Sequence, residues 1–295
     1  MTLPDMTLGR ACGLLALAFV AVVAFAACSP LGTLNTLTAS DTYRAKPDVA
    51  YGSLPRQKLD IYTPTTAAPV AGWPTVVFFY GGNWTDGERG EYKFMGEALA
   101  SGGVLVLVAD YRLYPEVAYP GFLEDCAKAM AWGFEHAKGL GGDPKRVFVM
   151  GHSAGGYNAA MLALDPRWLQ AVGHSPAELR GWIGLAGAYE FYPLEPTQPA
   201  RPVFRHPDYP PNSQPIDDVT PSSPRAFLAA PEKDKVVSPT RSTLAMAAKL
   251  RAAGVPVELH SYDGVSHALL AGVFARPLRG LAPVRDDLVA WIGAN

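Results

Sequence analysis

Apolar positions along this chain change their spacing repeatedly, from short unbroken runs to longer stretches in which they recur every three or four residues. Thr75 to Tyr80 is continuous and β-branched or aromatic, as a strand buried on both faces requires. Val104 to Val108 and Arg146 to Met150 repeat that character, and 181–185, 226–229 and 257–262 are three further strand candidates. Lys58 to Tyr62 alternates and reads as an early, half-exposed strand. Helical spacing covers 88–101, 121–138, 154–164, 239–253 and 283–293 between them. Alternation of this kind predicts an α/β fold with a mostly parallel central sheet, helices on both faces, and a site at the carboxyl ends of the strands.

Two regions break the pattern. Ala11 to Ala27 is unbroken and apolar, preceded by Arg10 and followed by Cys28-Ser29-Pro30, so residues 1–28 read as an export signal rather than as part of the fold. The run is slightly short of the ~20 residues that a membrane-crossing helix needs. Ala26-Ala27-Cys28 resembles the bacterial lipobox, which implies acylation of Cys28 and a hold on the membrane surface, although Phe25 departs from the leucine usual at the first position. Residues 29–54 then form an extension, its first part (Ser29 to about Tyr43) reading as a flexible tether, and 55–295 is the folded domain. The second break is 188–224, where prolines crowd and aromatics are interspersed. It reads as a loop insertion, forming either a lid or acyl-pocket wall, or a stiffened surface loop packed on the body.

Composition adds exclusions. With 295 residues, 49% hydrophobic, one large core is affordable, and the net charge of −2 gives no field for a nucleic-acid partner. Cys126, the one cysteine beyond the leader, sits in a helical pattern and reads as a small buried apolar residue. No histidine and carboxylate cluster has metal-ligand spacing, so neither metal nor other cofactor is expected, and oligomeric state is left open.

The chemistry concentrates at Gly151-His152-Ser153-Ala154-Gly155, which follows the apolar run 146–150 and leads into a helical pattern. Strand, tight turn and helix put a serine hydroxyl at the apex, with glycines where side chains would collide. Such a serine needs a base, and the base an orienting carboxylate, further along the chain. His267, in the loop after the last predicted strand, is the best-placed base. His260 lies inside that strand, His152 within the turn itself, and His136 and His174 precede the acid. Asp234 follows the strand 226–229 and is the candidate acid, its loop anchored by Val236-Val237; Glu232 is a close rival and Asp217 and Asp218 more distant ones. Backbone N–H groups of Gly81, Gly82 and Asn83, after the strand 75–80, and of Ala154 are candidates for an oxyanion hole. Trp84 and Tyr157 are the candidate substrate-contact residues.

Tyr80-Gly81-Gly82-Asn83-Trp84, Asp110-Tyr111-Arg112-Leu113-Tyr114-Pro115-Glu116, Gly151 to Gly156, Asp234 and His267 together resemble the α/β-hydrolase superfamily. The likeness is to its esterase and lipase group with a His-Gly-Gly-Gly-Trp-type oxyanion loop, including feruloyl-esterase-like and arylformamidase-like members. It spans roughly residues 55 to 293. The resemblance implies hydrolysis of small carboxylic esters through an acyl-enzyme, with the segment at 110–116 as a structural loop beside the site. Amide hydrolysis of the arylformamidase kind, or a silent binding protein on the same fold, are the alternative expectations. Tyr80 stands where the group has histidine and Asn83 where many members have glycine; Asn83 either donates its amide to the substrate or stabilises the turn.

Overall fold

The computed structural model describes residues 30–295; the expected export signal at 1–28 and the expected acylation of Cys28 lie outside the described residues. Eight strands form one sheet: β1 (Tyr43–Ala50), β2 (Lys58–Pro64), β3 (Trp73–Phe79), β4 (Leu105–Ala109), β5 (Gly142–His152), β6 (Gly181–Leu185), β7 (Ala226–Pro231) and β8 (Val257–Tyr262). Their order is β1-β2-β4-β3-β5-β6-β7-β8. β2 is antiparallel to both of its neighbours, and β4 through β8 run parallel. The α/β expectation is met.

The order places the chemistry. From β3 the chain goes outward to β4, then returns to β5 on the other side of β3, so the strand order reverses between β3 and β5. Crevices open at the carboxyl ends of strands where that happens. Phe79 and Gly151 are register partners there, which sets the segment after β3 beside the turn after β5. Both strands are fully buried through the paired region, from Thr75 to Phe79 and from Val147 to Gly151. Helices Gly121–His136 and Ala154–Leu164 pack on each other, as do Lys93–Ala100 and Val284–Ala294.

Three expectations need correction. β1 was not foreseen, because Tyr-Arg-Ala-Lys-Pro-Asp-Val-Ala has no apolar alternation; it is an edge strand, mostly exposed, where Pro47 costs no ladder bond. β2 is more buried than half-exposed, since β1 covers its outer edge and Asp60 is turned into an ion pair with Arg89 at 2.8 Å. The supposed tether is partly docked: Pro30–Thr36 is helical, and Asn35 donates to the Gly90 carbonyl at 2.7 Å and accepts from the Phe94 N–H at 3.2 Å.

The insertion packs on the body. Tyr189, Leu194, Val203, Phe204 and Ile216 are buried, and short helical turns occupy Ala200–Val203 and Pro215–Asp218. Cys126 is buried and free, as its pattern predicted.

Candidate active site

β5 delivers Ser153 to the apex of its turn with φ 54° and ψ −118°, a backbone conformation that side-chain-bearing residues avoid. Two glycines make the turn possible. A Cβ on Gly151 would lie 1.9 Å from the Gly155 carbonyl oxygen, and one on Gly155 would lie 2.0 Å from the Phe79 carbonyl oxygen. The Ser153 N–H donates to the Leu185 carbonyl at 2.9 Å, fastening the turn to β6.

Asp234 and His267 meet beside it. His267 Nδ1 lies 2.6 Å from Asp234 Oδ2, and the carboxylate side chain is 1% exposed. Asp234 Oδ1 accepts the N–H groups of Val236 and Val237 at 2.8 and 3.1 Å. The backbone, not the apolar side chains, therefore anchors this loop: Val236 itself is 55% exposed. Burial alone would raise the Asp234 pKa, but the bond from His267 and the two N–H groups outweigh it and hold the carboxyl below its ordinary value. Asp234 stays ionised, its charge fixing the Nδ1–H tautomer of His267. That leaves the lone pair of His267 Nε2 free, the atom buried and without a hydrogen-bond partner among the described residues.

The rivals are committed elsewhere. His260 bonds Glu258 at 2.8 Å on β8, His136 bonds the Trp132 carbonyl and His174 bonds Glu178. Glu232 is exposed, and Asp217 faces Lys249 at 3.9 Å. His152 is a different case. Its Nε2 donates to the His267 carbonyl at 3.0 Å, tying the base's loop to the residue before the serine. Burial, with the neighbouring His267 second, drives the His152 pKa down to about 3, so it is a neutral strut. Sequence reasoning treated it as a free position in the turn, and no local signal marks this role.

The loop after β3 carries the candidate oxyanion donors. Gly82 has φ 121°, Asn83 φ 52° and Trp84 φ 60°, three successive left-handed residues, and the Gly82 carbonyl accepts from the N–H groups of Thr85 and Asp86 at 2.9 and 3.0 Å. Among the described residues, no hydrogen bond uses the N–H of Gly82, Asn83 or Ala154. Gly81 contributes space beside the nucleophile, since a Cβ there would stand 3.0 Å from that of Ser153. The Asn83 side chain is exposed at the mouth.

A cavity of about 280 Å3 opens at Ser153, lined by Asn83, Trp84, Phe191, Val237 and Arg241 among others. Glu190, Glu195 and Lys235 add further charge to its lining, and Arg241 pairs with Glu190 at 3.5 Å. Trp84 reaches the cavity although only 3% exposed, its Nε1 donating to Asn158 Oδ1 at 2.9 Å. Tyr157 does not reach it. The ring is fully buried edge-on to Trp84, and its hydroxyl donates to the Ser213 carbonyl at 2.8 Å, which makes it a support for Trp84 and for the insertion. Asp110, Tyr111 and Arg112 lie behind the loop after β3: Tyr80 donates to Asp110 at 2.8 Å, and Arg112 pairs with buried Asp125 at 2.7 Å.

Comparison with known proteins meets this geometry from three directions. Residues 122–279, more than half of the chain, match the prolyl oligopeptidase family, and residues 59–172 match a family described as BD-FAE. A probable isoprenylcysteine alpha-carbonyl methylesterase of Oryza sativa subsp. japonica is 30% identical, over 83% of this chain and 60% of its own length. Esterase LipC of Mycobacterium tuberculosis is 29% identical, over 69% of this chain and 54% of that protein. The chain thus spans about three-fifths of the length of the first of these relatives. Among solved structures, a truncated carbohydrate esterase from gut microbiota superposes with a TM-score of 0.75 at 19% identity, covering 87% of this chain and 98% of that one. An esterase of Pyrobaculum calidifontis gives 0.72 at 22% identity, covering 90% of each chain. At these identities the structural likeness establishes the α/β-hydrolase fold.

Proposed function

From the premise that the chain belongs to the prolyl oligopeptidase family, we propose that it is a serine hydrolase that cleaves carboxylic esters through an acyl-enzyme. The observation that carries this reading is the ionised Asp234 bonded at 2.6 Å to His267, whose other nitrogen is free, beside a serine held at the apex of a strained turn. Esterase names among the relatives agree with it.

In this mechanism Ser153 Oγ attacks the ester carbonyl carbon while its proton passes to His267 Nε2. The carbonyl oxygen takes the electron pair and is met by the N–H groups of Ala154, Gly82 and Asn83, which have no competing acceptor. Collapse of that intermediate expels the alcohol, which receives the proton from His267, and leaves the acyl group on Ser153. His267 then takes a proton from water, whose oxygen attacks the acyl carbon, and the carboxylic acid departs. Among the described residues, Ser153 Oγ has no hydrogen-bond partner. Contacts of this kind tighten when substrate binds. The small, charge-lined cavity suits short acyl or aryl esters and disfavours long alkyl chains.

Hydrolysis of p-nitrophenyl acetate by the wild type, its loss in Ser153→Ala, and labelling of Ser153 by a fluorophosphonate are the expected results. Unchanged turnover in Ser153→Ala would sink the assignment. Parallel assay of N-formyl anilides separates ester from amide preference. Export and acylation at Cys28 belong to the same proposal; intact-mass analysis of detergent-extracted protein should show a Cys28 N-terminus carrying acyl chains, and an unmodified Cys28 there rejects the anchor.

A further inference from the structure

The loop from Tyr80 to Gly87 holds three consecutive residues at positive φ, two of them not glycine. Left-handed conformations of that kind cost roughly 1–2 kcal/mol per non-glycine residue, so surrounding structure must impose them. At the tip, Trp84 is held by Asn158 and by the rings of Phe122, Tyr157 and Phe204. What holds the neck lies 24 residues earlier in the chain.

We propose that Arg56 is the positioning residue of the oxyanion hole, a guanidinium clasp that joins the two ends of the loop and thereby aims the Gly82 and Asn83 N–H groups. Its Nη2 donates to the Tyr80 hydroxyl and to the Gly87 carbonyl, both at 2.7 Å, and its Nε donates to the Tyr111 carbonyl at 3.0 Å. The Tyr80 hydroxyl donates in turn to Asp110 Oδ1 at 2.8 Å. Tyr80 is pinned at its other end too, because the Tyr111 hydroxyl donates to the Tyr80 carbonyl at 2.8 Å. Asp110 is 4% exposed, accepts the Arg89 N–H at 2.7 Å and pairs with the Arg89 guanidinium, so the acceptor under the clasp is itself immobile. Tyr80 stacks between Tyr92 and Tyr111, with ring centroids 5.5 and 4.8 Å away. The phenol at position 80 does what no phenylalanine could: it carries one bond in from Arg56 and one out to Asp110.

This role rests on the serine-hydrolase reading, and it predicts a particular kinetic signature. Donors to the oxyanion act chiefly in the transition state, so misaiming them lowers kcat and leaves KM nearly alone. Arg56→Lys keeps the charge beside Asp110, but a single ammonium cannot span Tyr80, Gly87 and Tyr111. Its kcat on p-nitrophenyl acetate should fall by roughly 10–100-fold with KM within about threefold, since losing one oxyanion donor costs about 10²–10³. Tyr80→Phe should fall by roughly 3–10-fold, because the Gly87 bond survives. A boronic acid that forms the tetrahedral adduct with Ser153 should weaken in step with kcat. Hydrogen exchange read by mass spectrometry gives a readout that does not depend on turnover: peptides covering 80–87 should exchange faster in both variants, with other regions unchanged. If the wild type hydrolyses no ester, the functional reading fails while exchange still decides the clasp. Unchanged exchange across 80–87, or an Arg56→Lys enzyme with kcat within twofold of wild type, overturns the clasp. So does a loss that appears wholly in KM. Should Arg56→Lys melt globally, Tyr80→Phe, which keeps the stacked ring, carries the same comparison.

Discussion

The turn at Ser153 and the loop at 80–87 face each other across one register pair of the sheet, yet they are held in opposite ways. The turn is built mostly from its own backbone: a side chain on Gly151 would strike the Gly155 carbonyl, one on Gly155 would strike the Phe79 carbonyl at the end of β3, and one strand and one helix fix its direction. The loop after β3 is built by others. Arg56, the pair Asp110-Tyr111 and Asn158 come from three separate segments, and none is adjacent in sequence to the N–H groups they orient. A self-made turn fails all at once when one atom is added, whereas a loop held by several partners should degrade in steps.

The largest effect should therefore come from Gly151→Ala. A methyl placed 1.9 Å from the Gly155 carbonyl cannot be relieved by a side-chain rotation, because the obstacle is backbone. Overpacking in a dense core costs about 1–3 kcal/mol and occasionally more; here it should exceed 3 kcal/mol in urea melts and abolish activity together with soluble expression. A folded, active Gly151→Ala protein would show that the turn is not self-determined. Next in size, Asp234→Asn should leave the melt close to wild type but lower kcat by about 10³–10⁴, since the amide favours the wrong His267 tautomer. Retention of a tenth of the activity would mean that the charge of the carboxylate is not what sets the imidazole tautomer.

That contrast also explains what could be read before any coordinates. Self-made structure leaves its whole cause in consecutive residues, so Ser153, the place of Asp234 three residues past β7, and helix 154–164 were legible. Parallel strands buried on both faces announced themselves as apolar runs, and 181–185 agrees to the residue; 257–262 agrees too, although β8 is a part-exposed edge strand. Structure made by remote partners leaves no such trace. Arg56 lies in a polar turn between β1 and β2, and Arg89 in a segment that reads as a helix start; each acquires meaning only when the sheet brings Asp110 to it. β1 was missed for a related reason, because an exposed edge strand has no apolar face to display. Tyr157 was misjudged as a substrate contact because nearness in sequence to the nucleophile says nothing about which side of a helix faces the cavity.

His152 lies between the two regimes, within the self-made turn but bonded to a remote loop, and pH should expose it. Its pKa is about 3 in the native protein, against ~6.5 in an unfolded chain. Between those values the unfolded state holds a proton that the native state lacks, so stability falls as pH drops below about 6.5, by at most about 1.4 kcal/mol per pH unit, and is unaffected above it. Asp234, depressed below its unfolded value of ~3.9, adds a separate loss only at lower pH, as its carboxylate takes up a proton. Urea melts at pH 7.5 and 5 should differ by more than 1 kcal/mol in the wild type. His152→Gln, which can still donate to the His267 carbonyl but does not titrate, should show a much smaller difference; an unchanged acid limb would place its origin elsewhere.

The smallest effect should come from Asn83, and it separates the two kinds of support most finely. If the position acts through its backbone N–H, a side chain matters there only by tolerating φ 52°. Glycine tolerates that conformation freely, and alanine pays roughly 1 kcal/mol. Asn83→Gly should then keep kcat within about twofold, and Asn83→Ala should lose a little more through a loop pulled against its clasps. The reverse order, with glycine at a tenth of wild-type kcat or less, would assign the oxyanion a side-chain amide donor. In that case the exposed tip of the loop, and not its buried neck, would be where the chemistry is tuned.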